Sequence, residues 1–173
     1  DSIALVTTAQ QAKLANAVKT ETTKNNAALP DSTVVLTDSA KTALKKQTYG
    51  VFADAAQGEN KTIIIENDLM KISLATKGGR IASVELKKYK TFDGKPLILF
   101  DADSSKQNIL LPIGSTTIST DSLYFIPQSS AFNVSGKNVK SIAMRLNTSN
   151  PSQYIEYVYT LTGDENMMQF HIN

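Results

Sequence analysis

From Lys61 onward the apolar positions recur at every second residue and the β-branched types take over, which is the signature of strands with one buried face. Lys61 to Glu66 carries Ile63, Ile64 and Ile65. In Leu69 to Thr76, Leu69, Lys71, Ser73 and Ala75 fall on one face and Met70, Ile72, Leu74 and Thr76 on the other, with Asn67-Asp68 as the intervening turn. Lys77-Gly78-Gly79-Arg80 supplies residues that tolerate positive φ, and Ile81, Val84 and Leu86 resume the extended pattern, so a glycine hairpin is predicted there. Asp93-Gly94 predicts a second hairpin, between Tyr89 to Phe92 and Pro96 to Phe100. Further strands are predicted at Asn108 to Leu111, Thr116 to Thr120, Leu123 to Ile126, Asn138 to Leu146, Tyr154 to Leu161 and Met167 to Ile172. Together they make roughly nine or ten strands of an antiparallel sheet protein. In Tyr154 to Leu161 the face formed by Ile155, Tyr157, Tyr159 and Leu161 is the core candidate.

Residues 1–60 have a different texture, rich in Ala, Thr, Lys, Gln, Asn and Asp, with six Lys balancing six acidic residues. Thr7 to Lys19 contains good helix formers, but Leu5, Ala12 and Val18 are too widely spaced for a strong apolar stripe. A second helix is predicted from Asp38, as N-cap, through Ala40, Ala43 and Leu44 to Gln47, with Gly50 ending it. The expected organisation is a partly helical or flexible spacer at 1–60 and a β-domain at 61–173. At the other end Met168, Phe170 and Ile172 alternate up to the last positions without a closing turn or cap. An uncovered apolar edge invites association, so the domain is expected to be truncated here and to continue beyond Asn173. Asp1 in place of Met is likewise expected to follow cutting or processing.

A chain of 173 residues with 41% hydrophobic and 20% charged residues can bury one ordinary core. The formal charge of +2 provides no electrostatic footprint for nucleic acid or anionic lipid. The absence of cysteine removes disulfides, thiolate metal sites and a cysteine nucleophile. No apolar run reaches the roughly 18 residues of a membrane span.

Candidate chemistry is sparse. His171 is the one histidine, so no second imidazole can join it. Asp68, Asp93, Asp101, Asp103 and Asp164 sit at turns, where the Asp side chain bonds the local backbone. Asp101-Ala102-Asp103-Ser104 resembles the opening of a calcium loop but lacks the glycine and bidentate Glu that complete one. Gly78-Gly79 lies between strands, not before a helix, so it offers no phosphate cradle, and Arg80 after it reads as a solvated strand-end residue, with carboxylate binding as the alternative. Tyr154, Tyr157 and Tyr159 with Tyr124 and Phe125 read as sheet packing, with a sugar-stacking platform as the alternative. Lys87, Lys88 and Lys90 around Tyr89 read as solvated edge lysines that discourage sheet pairing, their field diluted by Glu85 and Asp93. No catalytic, cofactor-binding or metal-binding residue is assigned, and the chain is expected not to be an enzyme.

The stretch Glu66-Asn67-Asp68-Leu69 to Ala75-Thr76-Lys77-Gly78-Gly79-Arg80, followed by Val84-Glu85-Leu86-Lys87-Lys88-Tyr89 and Asp93-Gly94-Lys95-Pro96-Leu97, closely resembles the start of the periplasmic domain of the bacterial YidC membrane protein insertases. Asp121 to Pro127 and Tyr154 to Leu161 resemble later strands of the same domain. The resemblance implies an extended β-sandwich of galactose-mutarotase type, in the periplasm, on an inner-membrane protein. It also implies a whole protein that inserts and helps fold nascent inner-membrane proteins, alone or with the Sec translocon. The family's insertion groove lies among membrane helices outside this sequence, so none of its functional positions carries over. The expected role is that of an interaction or scaffolding module. The alternative is a carbohydrate-binding mutarotase-like domain, against which a single histidine without a partner argues.

Overall fold

A computed structural model describes residues 37–100 and 107–173. The helix predicted at Thr7 to Lys19 and the calcium-like run Asp101 to Ser104 lie outside the described residues.

Helix α1 spans Asp38–Tyr49 and buries none of its residues. Its N-cap is Thr37, one residue before the predicted Asp38: Thr37 Oγ1 accepts from Ala40 N–H at 3.4 Å. Asp38 occupies the first turn instead, where its charge meets the positive end of the helix, and Gly50 at φ 53° ends the helix as expected. Two short 3₁₀ turns follow, Gly50–Phe52 and Asp54–Ala56. They are sewn to the sheets through Tyr124 N–H to Ala55 O and Ser149 N–H to Val51 O, both 2.7 Å, and Phe52 enters the core.

Eleven strands are formed by the described residues: β1 Thr62–Glu66, β2 Met70–Ala75, β3 Ile81–Lys90, β4 Pro96–Phe100, β5 Leu110–Ile113, β6 Thr116–Ser119, β7 Ile126–Pro127, β8 Phe132–Asn133, β9 Val139–Asn147, β10 Tyr154–Thr162 and β11 Met168–Ile172. They make a five-stranded sheet in the order β4-β3-β2-β1-β8, a four-stranded sheet in the order β11-β10-β9-β7, and the small hairpin β5-β6. All pairings are antiparallel except β1 with β8, where Ile65 faces Phe132. The two-residue β8 carries too little alternation to be visible in the sequence.

The predicted strand Leu123 to Ile126 is mostly irregular. Leu123 O accepts from Gly78 N–H and Phe125 N–H donates to Thr76 O, so this segment hands its hydrogen bonds to the β2–β3 turn. Only Ile126–Pro127 joins β9. Leu123 and Phe125 are both buried, as befits a crossing between two sheets.

The alternation explains the core. Ile65, Met70, Ile72, Leu74 and Val84 from the first sheet and Ile142, Met144, Leu146, Tyr157, Tyr159 and Leu161 from the second form one apolar cluster. Register places Tyr157 opposite Met144 and Tyr159 opposite Ile142, so neighbouring strands present the same face. Each such side chain contributes about 1.5–3 kcal/mol when fully buried. Among the described residues no helix is long and apolar enough to cross a membrane.

Candidate functional site

Three turns meet at one corner of the sheets. Asn67, between β1 and β2, is fully buried. Its Oδ1 accepts from Leu69 N–H at 2.9 Å and Met70 N–H at 2.6 Å, while its Nδ2 donates to Thr162 O at 2.8 Å and Glu165 O at 2.7 Å. Neighbouring Asp68 accepts from Gly136 N–H through Oδ2 at 2.8 Å and donates its own N–H to Gly163 O at 3.0 Å. The Gly136 backbone, then the Ser135 side chain, hold the Asp68 carboxyl below its ordinary value. Lys137 and Asp164 pair across the same corner at 2.6 Å. Asp68 and Asp164 therefore act as tertiary clamps as well as turn formers, and Asp93 serves its own hairpin, bonding Thr91 and pairing with Lys95 at 2.8 Å.

Arg80 departs from its expected solvated state. The side chain is half-buried, and its Nη1 is buried without a hydrogen-bond partner among the described residues. The glycine turn before it is drawn inward: Tyr159 O–H donates to Gly79 O at 2.6 Å, and a Cβ on Gly79 would lie 2.7 Å from the Phe125 ring. His171 sits in β11 opposite Val158, on the face away from the one where Phe170 packs on Tyr157 and Tyr159.

The five aromatic residues form no common platform. Tyr157, Tyr159 and Phe125 are core residues, with the Phe125 and Tyr157 rings 4.6 Å apart. Burial pushes the phenol groups of Tyr157 and Tyr159 up. Tyr154 lies on the outer face beneath Arg145, whose guanidinium forks onto Glu156 at 2.7 and 2.9 Å. The packing expectation holds for the buried three, and the sugar platform loses its members to the core.

The lysines also divide. Lys87 is not a solvated edge residue: its Nζ pairs with Glu66 at 2.7 Å and donates to Asn67 O at 2.7 Å, and β3 lies inside its sheet because β4 forms the edge. Lys88 and Lys90 are exposed.

Tyr124 lines a cleft of about 380 Å³ with Ala55, Gly58, Ile126, Pro127 and Asn147. A Cβ on Gly58 would meet the Tyr124 ring at 2.6 Å, so the chain can run close over that ring only as glycine. Thr76 Oγ1 fixes the far wall, donating to Glu59 O and accepting from Lys61 N–H, each at 2.8 Å. Tyr124, Phe125, Ile126 and Pro127 give the cleft an apolar side, Asp54, Glu59 and Lys61 give it charge, and Ile126 is exposed. Sequence reasoning missed it because its walls come from 54–61, 76, 124–127 and 147, which no local pattern joins. Among the described residues no group of three or more His, Asp or Glu side chains can hold a metal ion.

The YidC periplasmic domain model matches residues 62–173. The chain is 36% identical over 174 residues to a membrane protein insertase YidC of Parabacteroides distasonis, covering 99% of this chain and 25% of the relative. It is 38% identical over 125 residues to that of Azobacteroides pseudotrichonymphae, covering 72% and 19%, and 32% identical over 144 residues to that of Amoebophilus asiaticus, covering 83% and 24%. The chain thus spans a quarter or less of the length of these relatives. The glycine hairpin, the buried Asn67 turn and the paired sheets all fall within the matched residues, and the chain belongs to the YidC periplasmic domain family.

Proposed function

We propose that this domain is the periplasmic interaction module of a membrane protein insertase that assists insertion and folding of inner-membrane proteins. The match of the family model over 62–173 carries this reading. The domain works by contact rather than by covalent chemistry. Its partners are nascent inner-membrane proteins and components of the Sec translocon. The apolar cleft beside Tyr124 is a surface suited to such contacts. The polar stretch before Gly50 serves as the spacer that holds the module away from the membrane-spanning part, while Phe52 and the turns after it belong to the module itself.

The test uses the full-length protein with a photo-crosslinking residue at Tyr124 or Ile126. Adducts with translocon subunits or with a nascent inner-membrane protein are expected. The reading fails if neither position gives such an adduct and if deleting 62–173 leaves both insertion rates and copurification with the translocon unchanged.

A further inference from the structure

The hairpin between β3 and β4 leaves the sheet. β2 pairs with β3 only as far as Met70 opposite Leu86, with a last bond from Lys87 N–H to Leu69 O, and the ribbon then continues through Lys88 to Pro96 without β2 beside it. Its end is well ordered by its own bonds. Thr91 N–H donates to Lys95 O at 2.9 Å, Gly94 N–H to Thr91 O at 2.9 Å and Lys95 N–H to Thr91 Oγ1 at 3.1 Å, with Gly94 at φ 79°. This turn holds Phe92 fully in solvent, with Tyr89 also exposed and Leu99 exposed on β4. Asp93 is paired with Lys95, Lys88 lies in the field of Asp68 without a direct ion pair, and Lys90 has no ion pair among the described residues, so the tip is locally positive on a chain whose net charge is only +2.

Phe92 packs on none of the described residues, and a convex tip cannot enclose a peptide as a groove does. A ring displayed ahead of lysines fits a bilayer interface, where aromatic side chains enter the headgroup layer and ammonium groups meet lipid phosphates. We propose that the β3–β4 hairpin tip docks on an anionic phospholipid surface, with Phe92 inserted and Lys88 and Lys90 on the phosphates. The proposal rests on the reading that the domain works beside a bilayer. Vesicle binding tests it separately from the insertase role, because no insertion step is measured.

The chain has no tryptophan, so Phe92→Trp installs a single reporter. At low ionic strength its emission is expected to shift to the blue on vesicles of phosphatidylcholine mixed with phosphatidylglycerol, and not on phosphatidylcholine alone. Val139→Trp, an exposed position on β9, is expected to show no shift. In vesicle sedimentation Lys88→Gln with Lys90→Gln is expected to weaken binding about 25-fold, from roughly fivefold per lysine. Phe92→Ser is expected to weaken it about tenfold. Absence of a blue shift at saturating anionic lipid overturns the proposal, as does vesicle binding indifferent to these substitutions. If polyglutamate binds as tightly as the vesicles and Phe92→Ser changes neither, the tip is an acidic-protein contact and the lipid assignment is wrong. Failure of all vesicle binding alongside successful cross-linking to the translocon would remove the lipid contact and leave the insertase role standing.

Discussion

Asn67 offers the sharpest test of how the two sheets are joined. Its amide uses both acceptor and donor groups, tying the β1–β2 turn to Thr162 O and Glu165 O, which lie 95 and 98 residues away in sequence. Asn67→Ala removes four hydrogen bonds at once. The Met70 N–H is buried and loses its partner outright, at about 1–3 kcal/mol. The other three groups are partly buried and regain water, so each costs about 0.5–1 kcal/mol. The sum is about 2.5–6 kcal/mol, a large part of the roughly 5–15 kcal/mol that stabilises a domain. Urea unfolding followed by far-ultraviolet circular dichroism measures it directly through the midpoint at constant slope. Asn67→Asp separates the two halves of the amide. It preserves the acceptor for Leu69 and Met70 but turns a carboxylate oxygen toward two carbonyls, so at neutral pH it is expected to be at least as damaging as alanine. A loss below about 1 kcal/mol for either variant would refute the argument, because water would then be replacing the amide at no net expense.

Three further outcomes follow from the same packing. Gly79 has φ 61° and a Cβ there would meet the Phe125 ring at 2.7 Å, so Gly79→Ala is expected to destabilise by about 2–4 kcal/mol, read as a lowered thermal midpoint. The Asp68 carboxyl is held below its ordinary value of 3.8 chiefly by Gly136 N–H, so its stabilising contribution is present above that pH and lost as pH falls through the lower folded value; Asp68→Asn should flatten the acid limb of a urea-midpoint profile, and an unchanged limb would count against the clamp. Tyr157 and Tyr159 are pushed up from 10.0 by burial, so folding favours their neutral forms and stability declines as pH rises above that value; tyrosinate absorbance from these two rings should appear together with unfolding, and Tyr159→Phe, which removes the bond to Gly79 O, should reduce that alkaline dependence.

The sequence by itself determined most of the strands and their faces, though not the irregular Leu123 to Ile126 or the two-residue β8. Alternation is a local property with a period of two, so Met70, Ile72 and Leu74, and likewise Tyr157, Tyr159 and Leu161, declare their buried side without reference to distant chain. Gly78-Gly79 and Asp93-Gly94 mark hairpins for an equally local reason, the positive φ that glycine adopts without strain. The family, too, was legible, because its motifs lie in these same turns. Tertiary structure alone decided what the turn residues do. Asn67 and Asp68 read as ordinary turn formers until the loops at 135–136 and 162–165 arrive beside them, and Lys87 read as a solvated edge until Glu66 and Asn67 O came within reach. Phe52 belonged to a polar-looking stretch until the sheets offered it a cavity, and β8 exists only because β1 provides it with a partner. Those partners are separated by tens of residues, and a hydrogen bond or buried ring is set by closeness in space, which no window along the chain contains.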